Sequence, residues 1–166
     1  MSNSLNNQRA SFAIVGLGNY LLGDEGLGIH VIWGLKEIIS HKEIQVIEAN
    51  TPGMGIIWLI EGRKECLVVD AAYMDLLPGS IRRFTPEEAR SRKRRGEVSL
   101  HQQDFLKILE LARTLGISLP KIIIFAIQPG PNLTGNDLSP PVLQAAKKVK
   151  KEIVEWVRDN WLREAF

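Results

Sequence analysis

The sequence predicts an α/β three-layer sandwich: a twisted, mostly parallel five-stranded sheet with helices on both faces. Two observations carry this. Short apolar, β-branched runs at 12–17, 44–49, 65–70 and 121–127 have the length and composition of buried strands. Stretches with apolar residues at three- and four-residue spacing separate them, and strands alternating with helices imply a parallel sheet covered on both sides.

Residues 1–10, rich in Asn, Ser and Gln, read as a disordered tail ahead of one domain over 11–166. Strand one, 12–17, ends in a glycine-rich turn. Asp24 offers a helix N-cap, and Leu27, Val31, Leu35 and Ile38 mark an amphipathic helix over 25–39. A second strand at 44–49 leads to a short helix at 52–60, with Pro52 near its first turn. Strand three, 65–70, closes on Asp70. A weaker strand at 80–84 follows the Pro78-Gly79 turn, and a connection that short predicts an antiparallel direction. Residues 86–99 are charged and read as a mobile loop or short helix. Phe105, Ile108, Leu109, Ala112 and Leu115 share one face of a helix over 102–115. After the strand at 121–127 comes a loop with Pro129, Gly130, Pro131 and Gly135, then a last helix with Val142, Ala146, Val149, Ile153 and Trp156 facing the core.

At 166 residues the chain can bury a core without disulfides or structural zinc. Its single cysteine, Cys66, excludes an internal disulfide and fits a reducing compartment. The N-terminus lacks the apolar segment of a signal peptide, and no apolar run approaches the ~18 residues of a spanning helix. A cytoplasmic monomer, with neither membrane nor nucleic acid as partner, is the expectation from this and from a formal net charge of only +2.

The turn after strand one reads GLGNYLLGDEGLG over 16–28. The dinucleotide fingerprint needs glycine where Leu21 stands. The P-loop needs Lys and Ser/Thr after Gly23, where Asp24 and Glu25 stand instead. Two carboxylates at a helix start repel phosphate and suit a cation. Glu25 also has a plainer reading, as a first-turn acid favoured by the helix dipole, and the glycines as servants of tight turns. Asp70 lies where open α/β sheets bind ligands, beyond a strand's carboxyl end, or else caps a loop. His101, just before a helix, is either a first-turn residue or a metal-ligating imidazole. Glu25, Asp70 and His101 fall at one edge of the predicted sheet, and two carboxylates with one imidazole suit a divalent first-row metal with open positions.

At these segments the sequence resembles the [NiFe]-hydrogenase maturation proteases. The resemblance rests on the stretch at 16–28, of the form G-x-G-N-x-L-x-x-D-[DE]-x-x-G, on LVVDAA at 67–72 and SLHQQ at 99–103, and on the turn TPGM at 51–54. It implies that Glu25, Asp70 and His101 contact metal, with Glu25 or Asp70 alternatively serving as general base. It further implies an endopeptidase that removes the C-terminal extension of a hydrogenase large-subunit precursor after nickel insertion. Nickel comes with the precursor as the recognition signal, and no permanent cofactor is expected. A precursor-binding chaperone that checks nickel but cuts nothing is the alternative. A nucleotide or flavin binder on a similar sheet is disfavoured by Asp24 and Glu25.

Arg90, Arg92, Lys93, Arg94 and Arg95 form a dense cationic run, read as a solvated segment or a docking patch for an acidic surface. No aromatic residues interleave it, which disfavours single-stranded nucleic acid. Cys66 reads as a buried small apolar residue, not a nucleophile.

Overall fold

The computed structural model describes residues 9–51, 53–95, 99–100, 103–132 and 134–162. In chain order these form β1 (Phe12–Leu17), a 3₁₀ turn (Gly23–Gly26), α1 (Leu27–Lys36), β2 (Ile44–Asn50), α2 (Gly55–Ile60), β3 (Glu65–Tyr73), β4 (Ile81–Phe84), α3 (Pro86–Arg94), β5 (Ser99–Leu100), α4 (Gln103–Thr114), β6 (Lys121–Ile127) and α5 (Pro140–Asn160). Five strands lie in the order β2-β1-β3-β6-β4, and β5 adds a short antiparallel pair to the end of β3. The first four are parallel; β4 is antiparallel to β6.

Alternation along each central strand divides the core in two. Phe12 and Ile14 of β1, with Leu67 and Val69 of β3, pack on α1 and α5. Ala13 and Val15, with Cys66 and Val68, pack on α2, α3 and α4. Parallel strands covered on both faces have no polar side to show, which is why they read as continuous apolar runs.

Several boundaries differ from the sequence expectation, each for a physical reason. The strand containing Asp70 does not end there. It continues to Tyr73, because Ala72 and Tyr73 gain a partner in β5. β4 is antiparallel as expected, but its partner is β6, with Ile81 opposite Ile127 and Phe84 opposite Ile124. The charged segment after β4 is helical from its start. Thr85 and Glu88 form a reciprocal cap there, the Glu88 N–H donating to Thr85 Oγ1 at 3.2 Å and the Thr85 N–H to Glu88 Oε2 at 2.8 Å. Asp24 is not the N-cap of α1; Gly26 holds that position without a side-chain bond. The tail expected over 1–10 lies outside the described residues except for Arg9 and Ala10.

Candidate active site

The chain moves from β1 to β2 on one side and returns to β3 on the other. Strand order therefore reverses between β1 and β3, and such a reversal opens a crevice at the carboxyl ends of the strands. The β1–β3 ladder ends at the pair Gly16 and Val69, so Asp70 is the first residue of β3 past its neighbour. On the other side Asp70 is paired with Ala126 of β6.

Asp70 is buried, at 3% exposure. Burial, before any other cause, pushes its carboxyl up to about 8; the Ala71 backbone N–H works against that, and the negative charge of Glu25 adds to it. Asp70 and Glu25 thus face each other closely enough for their charges to interact. Glu25 is half-buried in the 3₁₀ turn, and the Tyr73 hydroxyl donates to its Oε1 at 3.2 Å. Burial and that same carboxylate raise the Tyr73 phenol, which stays protonated and able to donate.

The glycines of the 16–28 turn set this geometry. A Cβ on Gly28 would run into the carbonyl oxygens of Leu17 and Val69, and one on Gly16 into the carbonyl of Gly28. The first turns of α1 therefore press directly on the carboxyl ends of β1 and β3. Gly18, at φ +121°, lies against the carbonyl of Glu25, and its positive φ lets the chain turn back beneath that residue.

Asp24 has a different task from its neighbour. It is fully buried and accepts hydrogen bonds from the Gly130 N–H at 2.9 Å, the Ser139 N–H at 2.7 Å and Ser139 Oγ at 2.7 Å. The Asp24 N–H donates to the Asn132 carbonyl at 2.9 Å, and the Gly23 N–H to that of Gly135 at 2.8 Å. The proline-rich loop before α5 is therefore the wall that holds the Glu25 turn in place. Gln128 performs a similar task beyond β6: its Oε1 accepts from the Met74 N–H at 2.7 Å and fixes the segment after β3.

The structure brings Glu25 and Asp70 together. His101 lies outside the described residues. Its chain neighbour Leu100 is paired with Ala72, two positions beyond Asp70. Among the described residues no cluster of three or more His, Cys, Asp or Glu side chains could hold a metal. Of the other histidines, His30 packs edge-on against Trp33, and His41 Nδ1 accepts from the Glu43 N–H. Sequence reasoning missed Tyr73 and the structural role of Asp24. Tyr73 follows a strand that looks finished at Asp70, and the partners of Asp24 are more than a hundred residues away.

The site thus sets two carboxyl groups at one edge of the sheet, with Asp70 held neutral by burial and Glu25 half-buried beside it.

The family model described as HycI, hydrogenase maturation protease, matches residues 29–156, a span that includes Asp70 and begins after Glu25. A protein of Methanocaldococcus jannaschii described as a hydrogenase maturation protease is 27% identical over 150 residues, 89% of this chain and 94% of its own. The hydrogenase expression/formation protein HupD of Thiocapsa roseopersicina is 27% identical over 117 residues, covering 70% of this chain but 53% of HupD. The chain thus spans about half the length of HupD, and 57% of the related HoxM of Cupriavidus necator. Among solved structures, the hydrogenase maturating endopeptidase HybD of E. coli superposes with a TM-score of 0.78 at 21% identity, over 90% of this chain and 93% of that one. HybD of Thermococcus kodakarensis gives 0.70 at 22% identity, over 87% and 97%. Both share the fold. The match over most of its length shows that this chain belongs to the hydrogenase maturation protease family.

Proposed function

We propose that this protein is an endopeptidase that removes the C-terminal extension of a [NiFe]-hydrogenase large-subunit precursor once nickel is in place. The observation that carries this reading is the pairing of Glu25 with a buried Asp70 at the strand-order reversal, in a chain of this family. The metal ligands proposed are Glu25, Asp70 and His101. Three protein donors leave positions open for ligands from the precursor, so the ion is shared between the two proteins and no permanent cofactor is needed.

The chemistry nickel supplies is Lewis acidity toward the scissile carbonyl and toward a bound water. The protein's own groups do the rest. Tyr73 holds one oxygen of Glu25 and so limits its rotation. Asp70, neutral in its buried setting, gives up its proton as a cation approaches and then serves as an anionic donor. Until then it is a poor base, which favours Glu25 where a carboxylate must take a proton from water.

The test is to mix the protein with nickel-loaded and nickel-free precursor and follow the precursor's C-terminal mass. Loss of the extension only from the nickel-loaded sample is expected. Glu25→Gln and Asp70→Asn are each expected to slow that loss by about a hundredfold or more. Wild-type rates in both variants would sink the assignment. Stable binding without mass loss would leave the nickel-checking chaperone as the reading.

A further inference from the structure

Positive charge is concentrated in one part of this chain. Residues 82–95 hold seven cationic and two acidic side chains, whereas the rest of the chain holds 14 and 17. Both acids of the segment are engaged within it or beside it: Glu87 pairs with Arg113, and Glu88 closes the cap at Thr85. One or two cations would suffice to offset the C-terminal end of α3, and five between Arg90 and Arg95 exceed that need.

The fold adds to what the sequence run shows. Arg82 and Arg83 lie exposed on β4, the edge strand of the sheet. Arg82 shares the face of Phe84, and the Arg92 guanidinium lies 5.3 Å from the centre of the Phe84 ring, so α3 and β4 present one continuous surface. The direction of the chain decides where that surface lies. β4 runs away from the carboxyl edge of β6, and α3 follows it. By Ser99 the chain is back at the carboxyl edge, paired with Tyr73. Arg95 is four residues from Ser99 and so within about 15 Å of it. A standard protein interface covers about 800 Å² per partner, or roughly 30 Å across. The cationic end of α3 and the Glu25–Tyr73–Asp70 crevice therefore fit under one docked protein.

We propose that the cationic surface of β4 and α3 is the electrostatic docking patch for an acidic surface on the protein substrate, beside the segment to be cut. The proposal rests on the protease reading for the substrate's identity, but not for the patch itself. The patch steers encounter and selects among precursors, while the crevice does the chemistry.

The experiment compares wild type, Arg82→Glu/Arg94→Glu and the neutral Arg82→Gln/Arg94→Gln, all changed at exposed side chains. The probe is the nickel-loaded large-subunit precursor from the same genome. Its association rate is read at 50 and 300 mM NaCl, with cleavage followed in parallel. The charge-reversed protein is expected to associate about tenfold or more slowly at low salt, with the neutral variant between and the difference largely gone at high salt. Equal rates at low salt for all three would overturn the patch. So would a 20-base-pair DNA duplex that associates faster than the precursor, since it would reassign the surface to nucleic acid. Charge-dependent association without cleavage would uphold the patch and sink the protease reading. Cleavage with charge-independent association would do the reverse.

Discussion

A carboxyl group such as Asp70 is costly in a folded chain, because burial disfavours its charged form. The ordinary value of 3.8 describes the unfolded chain, and burial raises the folded value to about 8. Below pH 4 both states hold the proton and nothing is lost. Between pH 4 and 8 the unfolded chain releases it while the folded chain keeps it, so stability falls as pH rises. Above pH 8 the penalty is constant, on the order of a few kcal/mol. Asp70→Asn removes it. Urea unfolding of the metal-free protein is therefore expected to show the Asn variant more stable than wild type at pH 8 and close to it at pH 4. A variant less stable at pH 8 would mean that the carboxylate is held by contacts that Asn cannot make. Asp24 is just as deeply buried but accepts three hydrogen bonds, from the Gly130 N–H and from the N–H and hydroxyl of Ser139.

Helix α1 contains two glycines that the same substitution separates. Gly28 lies against the backbone of β1 and β3, which cannot yield. Gly34 lies against the Lys150 side chain, whose Cδ is 2.8 Å from a built Cβ and whose flexible end can move away. Gly28→Ala is expected to destabilise by about 1–3 kcal/mol and to slow cleavage by displacing Glu25. Gly34→Ala is expected to stabilise by up to about 1 kcal/mol through helix propensity. Urea midpoints check both signs; a loss at Gly34 as large as that at Gly28 would show that the Lys150 side chain does not give way and that packing outweighs propensity there. Elements that bury a periodic apolar face were legible in the sequence: β6 spans the residues its composition marks, and α4 ends one residue before the expected bound. What was not legible depends on partners. β5 is two residues long, too short for any period to show, yet it extends β3 past Asp70. The choice of β6 as neighbour of β4 is a matter of sheet order, which local sequence does not encode. At the site, Glu25 and Asp70 stood out because each follows an apolar strand of the predicted sheet, at the edge where open α/β sheets bind ligands. Tyr73 did not, because its role exists only once β1 and β3 are side by side.

The whole molecule is tied together through its central strand. Cys66 lies in β3 between Ala13 and Ile122, and burial pushes its thiol up to about 12, against a smaller opposing pull from Arg63. Such a thiol reacts only when the sheet opens. Labelling by a chromogenic disulfide at pH 8 is expected to be slow in the native protein and, with reagent in excess, to track the rate of global unfolding across urea. A rapid burst without denaturant would place Cys66 at a mobile surface and reopen the question of a nucleophilic cysteine.

The tie between Asp24 and Ser139 spans 115 residues. A chain emerging from the ribosome has made the Glu25 turn long before it has made the helix that anchors it. The Glu25 turn thus gains its anchor last, after the sheet and the final helix have met. A protein synthesised in this order lacks those bonds to Asp24 while it is still a nascent chain, and a copy broken off before Ser139 lacks the two that Ser139 donates.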